Sequence, residues 1–462
     1  MYSFVICFLA LIASYFVYGK LIEREVDVDE NSKTPAYRLE DGVDYIPLPK
    51  YKNFLVHFLN IAGLGPIFGA IQGALFGPAA FLWIVLGTIF IGSVHDYFSG
   101  FMSLRNDGLT MPNIISKYLG KTVQRLTAII IVITGILVAA TFATGAADLL
   151  GNLTSIPVLY WIIAIFIYFL VATLFPIDKI IGKIYPIFGA LFLVMAVLMT
   201  GALILNPSYS IPEFTTQGLY LTDKTIFPYL FVTIACGAIS GFHASQSPSV
   251  ARCMENEKDA RPVFFGAMVL EGLTALCWAA IAMAFFHGQP QLAVLYGATP
   301  SVAVHEMAIT LLGPIGLILT IIGVVICPIT TGDTSLRSSR ITVADELNIN
   351  QEKLASRLKL AVPLFLVSFA LTFVDFALIW RYFAWSQMLV ATTVLFAATV
   401  YLIQNKKHYI ITLLPAIVCS LIVFGYILQA SEGLNLPSMT ANVISVIATA
   451  ILTIAFLKKY KK

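Results

Sequence analysis

Residues 60–69 read NIAGLGPIFG, and residues 235–250 read ACGAISGFHASQSPSV. Each sits inside an apolar run, Phe54–Phe76 and Phe227–Val250, of the length that crosses a bilayer as one helix. Glycine loosens a helix, and proline removes an N–H donor and clashes with the preceding turn. In hydrocarbon, backbone freed in this way must line a cavity or be satisfied by the protein itself. A matched pair of interrupted helices, one in each half of a chain, marks the binding site of a secondary transporter.

The rest of the chain fits that reading. It has 462 residues, 59% hydrophobic and 11% charged, which excludes a soluble globular domain. Apolar runs give about thirteen spans, near 2–19, 54–76, 79–103, 124–147, 157–175, 184–205, 227–249, 262–287, 314–340, 357–376, 379–403, 410–430 and 440–457. Residues 301–312 read as a separate short external helix. With this count Lys and Arg fall in alternate loops, from Lys20 and Arg24 to the Lys458–Lys462 tail, and only Lys224 and Arg381 fall opposite. The positive-inside rule then places the N-terminus outside and the C-terminus inside a cytoplasmic membrane. The first span reads as an anchor rather than a cleaved leader, since it lacks a basic n-region and a clear cleavage site. The six cysteines lack metal-ligand spacing and read as small core residues.

The fold expected is an all-α membrane protein with a LeuT-like plan of two inverted repeats of five helices. Residues 1–22 form an accessory N-terminal helix and 23–53 a cytoplasmic loop. Residues 54–205 hold the first five spans and 227–404 the second five, followed by two extra C-terminal helices and a basic tail in 405–462. Five is odd, so the second set is inverted relative to the first, and the first and sixth core helices are the discontinuous ones.

Five stretches resemble the carbon starvation protein A family: Asn60–Pro78, Gly92–Gly108 (GSVHDYFSGFMSLRNDG), Gly182–Gly189 (GKIYPIFG), Ser240–Cys253 and Thr330–Arg340 (TTGDTSLRSSR). The resemblance implies an inner-membrane importer of peptides or, as in some members, of pyruvate with a proton. It favours a proton over sodium as the coupling ion, with no other cofactor.

Candidate residues follow from the breaks. Asn60, Gly63, Gly65 and Gly241 would turn backbone groups toward a carboxylate-bearing substrate, with His243, Ser245, Gln246 and Ser247 beside them. Leucine at Gly65 or Gly241 is expected to abolish uptake while leaving the protein folded. His243 either bonds substrate or changes protonation; a core histidine bonded to a carbonyl is the alternative. His95 and Asp96 are ionisable groups deep in a span, pointing about 100° apart and hence expected to have different partners. Asp96 either carries a proton or pairs with a basic group such as Arg105. Thr330, Thr331 and Asp333 offer oxygens on the eighth core helix, which in LeuT-like folds faces a cation site on the first broken helix. Lys183 either replaces a sodium ion with its ammonium or is one more inward-side lysine. Glu271 reads as a buried carboxylate with a structural role.

Other classes lack their signatures. There is no repeated pore filter for a channel, no HExxH or nucleophile–base set for an enzyme, no Walker loop and no nucleic-acid patch. The expected partners are a small-molecule substrate and the lipid bilayer; oligomeric state is not encoded legibly.

Overall fold

The computed structural model of the chain describes residues 1–42, 44–172, 177–215, 224–296, 300–351 and 353–461, with side chains described at all of these except 177–186, 289, 294–296 and 322. Its helices, in chain order, are α1 (Tyr2–Arg24), α2 (Lys50–Ala62), α3 (Gly65–Ala74), α4 (Ala79–Arg105), α5 (Met111–Leu119), α6 (Lys121–Thr154), α7 (Val158–Ala172) and α8 (Ile177–Leu205). There follow α9 (Ile226–Thr233), α10 (Ala235–Ala251), α11 (Glu257–Phe285), α12 (300–312), α13 (314–347), α14 (Leu354–Leu371), α15 (Phe376–Gln404), α16 (Ile410–Gln429) and α17 (Ser438–Tyr460). Among the described residues, ten helices are long and apolar enough to cross a bilayer, two bent pairs add a span each, and α7 is a shorter apolar helix. Gly313 separates α12 from α13 with φ 57° and ψ −140°, a conformation that glycine alone adopts readily, so 300–312 stands as a helix of its own.

Burial orders these helices. α4, α11 and α15 are enclosed along most of their length, whereas α1, α14 and α17 turn leucine, isoleucine and valine outward, as lipid-facing helices do. α13 lies along α6, with Ser335 Oγ donating to the Gly135 carbonyl at 2.6 Å. One end of the bundle carries a charged network. Arg105 forks onto Glu257 at 2.6 Å through Nε and Nη2, and Nη2 also reaches the Asp27 carbonyl at 2.9 Å. Lys407 pairs with Asp27 at 2.7 Å and Lys258 with Glu30 at 3.1 Å. The loop after α1 is thus tied to the ends of α4 and α15 and the start of α11.

The two breaks are real bends. α2 and α3 meet at 51° and α9 and α10 at 68°. Gly63 takes φ 46° and ψ −139°, and a Cβ there would stand 2.3 Å from the Phe142 ring, so both conformation and space require glycine. The second break passes through Ile234 (φ −98°, ψ 16°) and Ile239 (φ −141°, ψ −26°), leaving Ala235–Ala238 as a single turn before His243 restarts the helix.

Candidate functional site

The breaks touch each other. A Cβ on Gly65 would lie 2.3 Å from Cys236 Sγ, and one on Gly237 would lie 3.3 Å from Pro66 Cα. Gly241 is pressed onto α15, where a Cβ would fall 1.9 Å from the Gln387 carbonyl oxygen and 2.4 Å from Ala391 N. These glycines therefore permit close approach of backbones. The expectation that leucine at Gly65 or Gly241 leaves a folded protein is corrected: the space is filled by a thiol in one case and by backbone in the other. Asn60 is buried at the end of α2 with its Oδ1 unpartnered.

Beyond the second break, α10 runs along α4. Gly92 makes this possible, because a Cβ there would sit 2.3 Å from the Ala238 carbonyl oxygen. The approach stitches polar residues across the seam. His243 Nδ1 is 2.7 Å from Asp96 Oδ2, and one turn on, Ser247 Oγ is 3.0 Å from Ser99 Oγ. The i,i+3 step on α4 meets the i,i+4 step on α10, which is how neighbouring faces of two helices align. Ser245 donates to the Phe242 carbonyl at 2.7 Å and accepts from Gln246 Nε2 at 2.8 Å; Ser338 of α13 donates to the Ser245 carbonyl.

Asp96 holds a second imidazole. His95 Nδ1 lies 2.8 Å from Asp96 Oδ1. This corrects the expectation that the adjacent residues have different partners: the carboxylate has two oxygens, one turned back to its neighbour and one across to α10. The alternative pairing with Arg105 is also excluded, since Arg105 is bound to Glu257. His243 Nε2 in turn faces Glu271 Oε2 of α11 at 3.3 Å. His95, Asp96, His243 and Glu271 are all 0% exposed. His57 on α2, equally buried, has no hydrogen-bond partner on either ring nitrogen, and its ring meets Phe264 edge-on at 5.0 Å. Sequence reading passed over His57 and gave Glu271 a structural role. The signal for both was the same as for Asp96, an ionisable group inside an apolar run.

The oxygens of α13 divide. Thr331 Oγ1 reaches the Leu59 carbonyl of α2 at 3.2 Å, while Thr330 bonds back to the Cys327 carbonyl of its own helix at 2.7 Å. Asp333 is buried on the same helix. Lys183 belongs to α8, and its side chain lies outside the described residues. Among the described residues no three His, Cys, Asp or Glu side chains are grouped to hold a metal ion.

An all-helical bundle with two bent spans in contact has the architecture of LeuT-like secondary transporters. A single-residue mutant of the manganese transporter of Eremococcus coleocola superposes with a TM-score of 0.55 at 15% identity, covering 91% of this chain and 99% of that one. A Na+-coupled sialic acid symporter superposes with the same TM-score at 14% identity, covering 99% and 97%. The chain itself belongs to the carbon starvation protein CstA family, whose model matches residues 1–159 and 146–308. An uncharacterized membrane protein of Haemophilus influenzae is 41% identical over 336 residues, 61% of this chain and 91% of that protein. The peptide transporter CstA of Bacillus subtilis is 30% identical (58% of this chain, 55% of the relative), and the pyruvate/proton symporter BtsT of Escherichia coli 26% identical (57% and 46%). The match thus spans about half the length of these two named transporters.

Proposed function

We propose that this chain is a secondary active transporter that imports a small carboxylate-bearing nutrient, a peptide or pyruvate, together with a proton. The observation that carries the reading is the dry ionisable chain His95–Asp96–His243–Glu271, seated on the second break. Ionised Asp96 accepts an N–H from each Nδ1. His243 Nε2 and Glu271 Oε2 stand 3.3 Å apart with neither atom hydrogen-bonded, so the pair can take one proton on either side. With that proton the four groups carry one net negative charge; without it they carry two, in a place closed to water. Each uncompensated buried ion costs several kcal/mol, about the scale that shifts a two-state equilibrium decisively. In this reading closure of the site is linked to proton occupancy, and the relatives named as transporters of peptides and pyruvate support the cargo class.

In this reading 54–205 and 227–404 are two five-span repeats of opposite orientation, and alternating access is the rocking of one bundle about the paired breaks. The first break (Asn60, Gly63, Gly65) and the polar turn at Gly241 to Ser247 receive the carboxylate end. Thr330, Thr331 and Asp333 on α13 face the same core. The N-terminus lies outside and the C-terminus inside the cytoplasmic membrane, with lipid and substrate as the partners.

Sodium is the second reading, and Thr331 beside the Leu59 carbonyl is its best support. Cys327 Sγ shares that carbonyl at 3.8 Å, and a thiol is a poor ligand for a hard cation. The test is uptake of radiolabelled pyruvate, and separately of a dipeptide, into proteoliposomes under an inward proton gradient. Accumulation that an uncoupler abolishes supports the proposal; accumulation that requires sodium and ignores the uncoupler refutes it.

A further inference from the structure

Two helices carry an exposed apolar stripe that runs into cations at one corner of the charged end of the bundle. On α6, Leu126, Ile129 and Ile133 are exposed, and Arg125, one turn before Ile129, continues the stripe to Lys121 at the helix start. On α17, Ile447, Ile451 and Ile454 are exposed, and the next step of four residues is Lys458, followed by Lys459 and Lys461. The two ends are fastened together. The Tyr460 hydroxyl donates to the Leu119 carbonyl at 3.3 Å, two residues before Lys121. One turn earlier, the Phe456 ring meets Phe396 of α15 at 4.7 Å and Tyr460 at 5.0 Å.

Elsewhere at this end the cations are matched: Arg38 with Asp107, Arg105 with Glu257, Lys258 with Glu30 and Lys407 with Asp27. Lys121, Arg125, Lys458, Lys459 and Lys461 are exposed, and among the described residues no carboxylate pairs with any of them. Lys459 and Lys461 lie over the Tyr460 and Tyr409 rings at 4.9 and 5.2 Å. The acidic groups at the end of α13 are engaged, Asp345 Oδ2 accepting from Thr110 at 3.0 Å and Glu346 Oε1 from Gln124 at 2.7 Å. Glu352 and Lys462 lie outside the described residues.

We propose that the corner between the start of α6 and the end of α17 binds an anionic phospholipid. Arg125 and Lys458 take the phosphate, the guanidinium through two parallel N–H bonds, and Lys121 adds charge beside them. The acyl chains lie along the two stripes that these cations terminate, an arrangement that matches an amphipathic ligand at both ends. A second copy of the chain suits the corner poorly. A two-fold contact between parallel stripes would set these cations against their own copies. The inference stands apart from the cargo and the coupling ion.

The experiment is native mass spectrometry of the full-length protein in detergent, with phosphatidylglycerol or phosphatidylethanolamine added at equal concentration. The expected result is retention of phosphatidylglycerol about tenfold more tightly than the zwitterionic lipid. Arg125→Gln combined with Lys458→Gln should bring the two lipids to equal retention. Lys20→Gln combined with Lys359→Gln, which removes two exposed cations elsewhere, should leave the preference intact. An unchanged preference in R125Q/K458Q overturns the site. An equal loss in K20Q/K359Q does so too, by reducing the effect to diffuse attraction. Competition by glycerol 3-phosphate as effective as by the lipid would make it a site for free phosphate, and a lipid-free dimer would give the corner to a second copy; either result overturns the proposal.

Discussion

His243 Nε2 stands 3.3 Å from Glu271 Oε2, and this contact joins the second broken helix to α11. The other ring nitrogen of His243 is fixed on Asp96 at 2.7 Å, so the imidazole lies between two carboxylates that belong to different helices. In the proposed mechanism, a proton gained or lost by either carboxylate changes what holds α10 in place.

Glu271→Gln keeps the shape of the side chain and removes its proton exchange. Gradient-driven accumulation is expected to fall to the equilibrium level, while exchange of external for internal substrate continues. His243→Gln should behave in the same way. Counterflow and accumulation assays on the same vesicles separate the two activities; full accumulation by E271Q would remove Glu271 from the coupling path.

His57 is buried against Phe264 with both ring nitrogens unpartnered, an arrangement that costs stability and that a role in transport would account for. His57→Leu is expected to maintain or raise the unfolding temperature and to lower maximal uptake about tenfold, equivalent to ~1.4 kcal/mol on a rate. The half-saturating substrate concentration should not change. A destabilised H57L with normal uptake would make His57 a packing residue.

Arg105 covers Glu257, whose side chain is 5% exposed while that of Arg105 is 32% exposed. Arg105→Ala strands a nearly buried carboxylate and should cost about 1–3 kcal/mol, toward the lower value because solvent reaches the guanidinium. Asp29 N also donates to Glu257, at 3.0 Å, so the loop after α1 should loosen as well. Thermal unfolding of R105A, E257Q and the double variant checks this. The double variant is expected to lose less than the sum of the singles, and strict additivity would mean that the pair does not interact.

Gly241→Leu is expected to yield no monodisperse protein, because its side chain would have to displace the backbone of α15 at Gln387 and Ala391. Size-exclusion profiles decide the matter. A well-folded G241L that merely fails to transport would show that the break faces open space rather than α15.

The breaks were legible because they depend on residue type alone: Gly63 demands a positive φ, and Pro66 cannot donate. The separate helix before Gly313 was legible for the same reason. The partners of the buried charges were not, since they are set by which helices pack together. Asp96 and His243 are 147 residues apart in sequence, and it is the missing side chain of Gly92 that lets α4 reach the second break. The pairing of His95 with Asp96 was misjudged for a different reason. The 100° step describes where the Cβ atoms point, whereas an imidazole and a carboxylate are long enough to turn toward each other. Gly65 and Gly241 illustrate the remaining ambiguity: a helix break in sequence looks the same whether it lines a cavity or receives a neighbour.

The most direct measurement is proton movement itself. Proteoliposomes holding a trapped pH-sensitive dye, with the membrane potential clamped, receive pyruvate outside with no initial pH gradient and no sodium. The expected result is acidification of the lumen by the wild-type protein, faster at lower external pH, and none by E271Q. Pyruvate uptake by the wild type with no acidification, or acidification undiminished in E271Q, would contradict proton coupling through the His95–Asp96–His243–Glu271 chain.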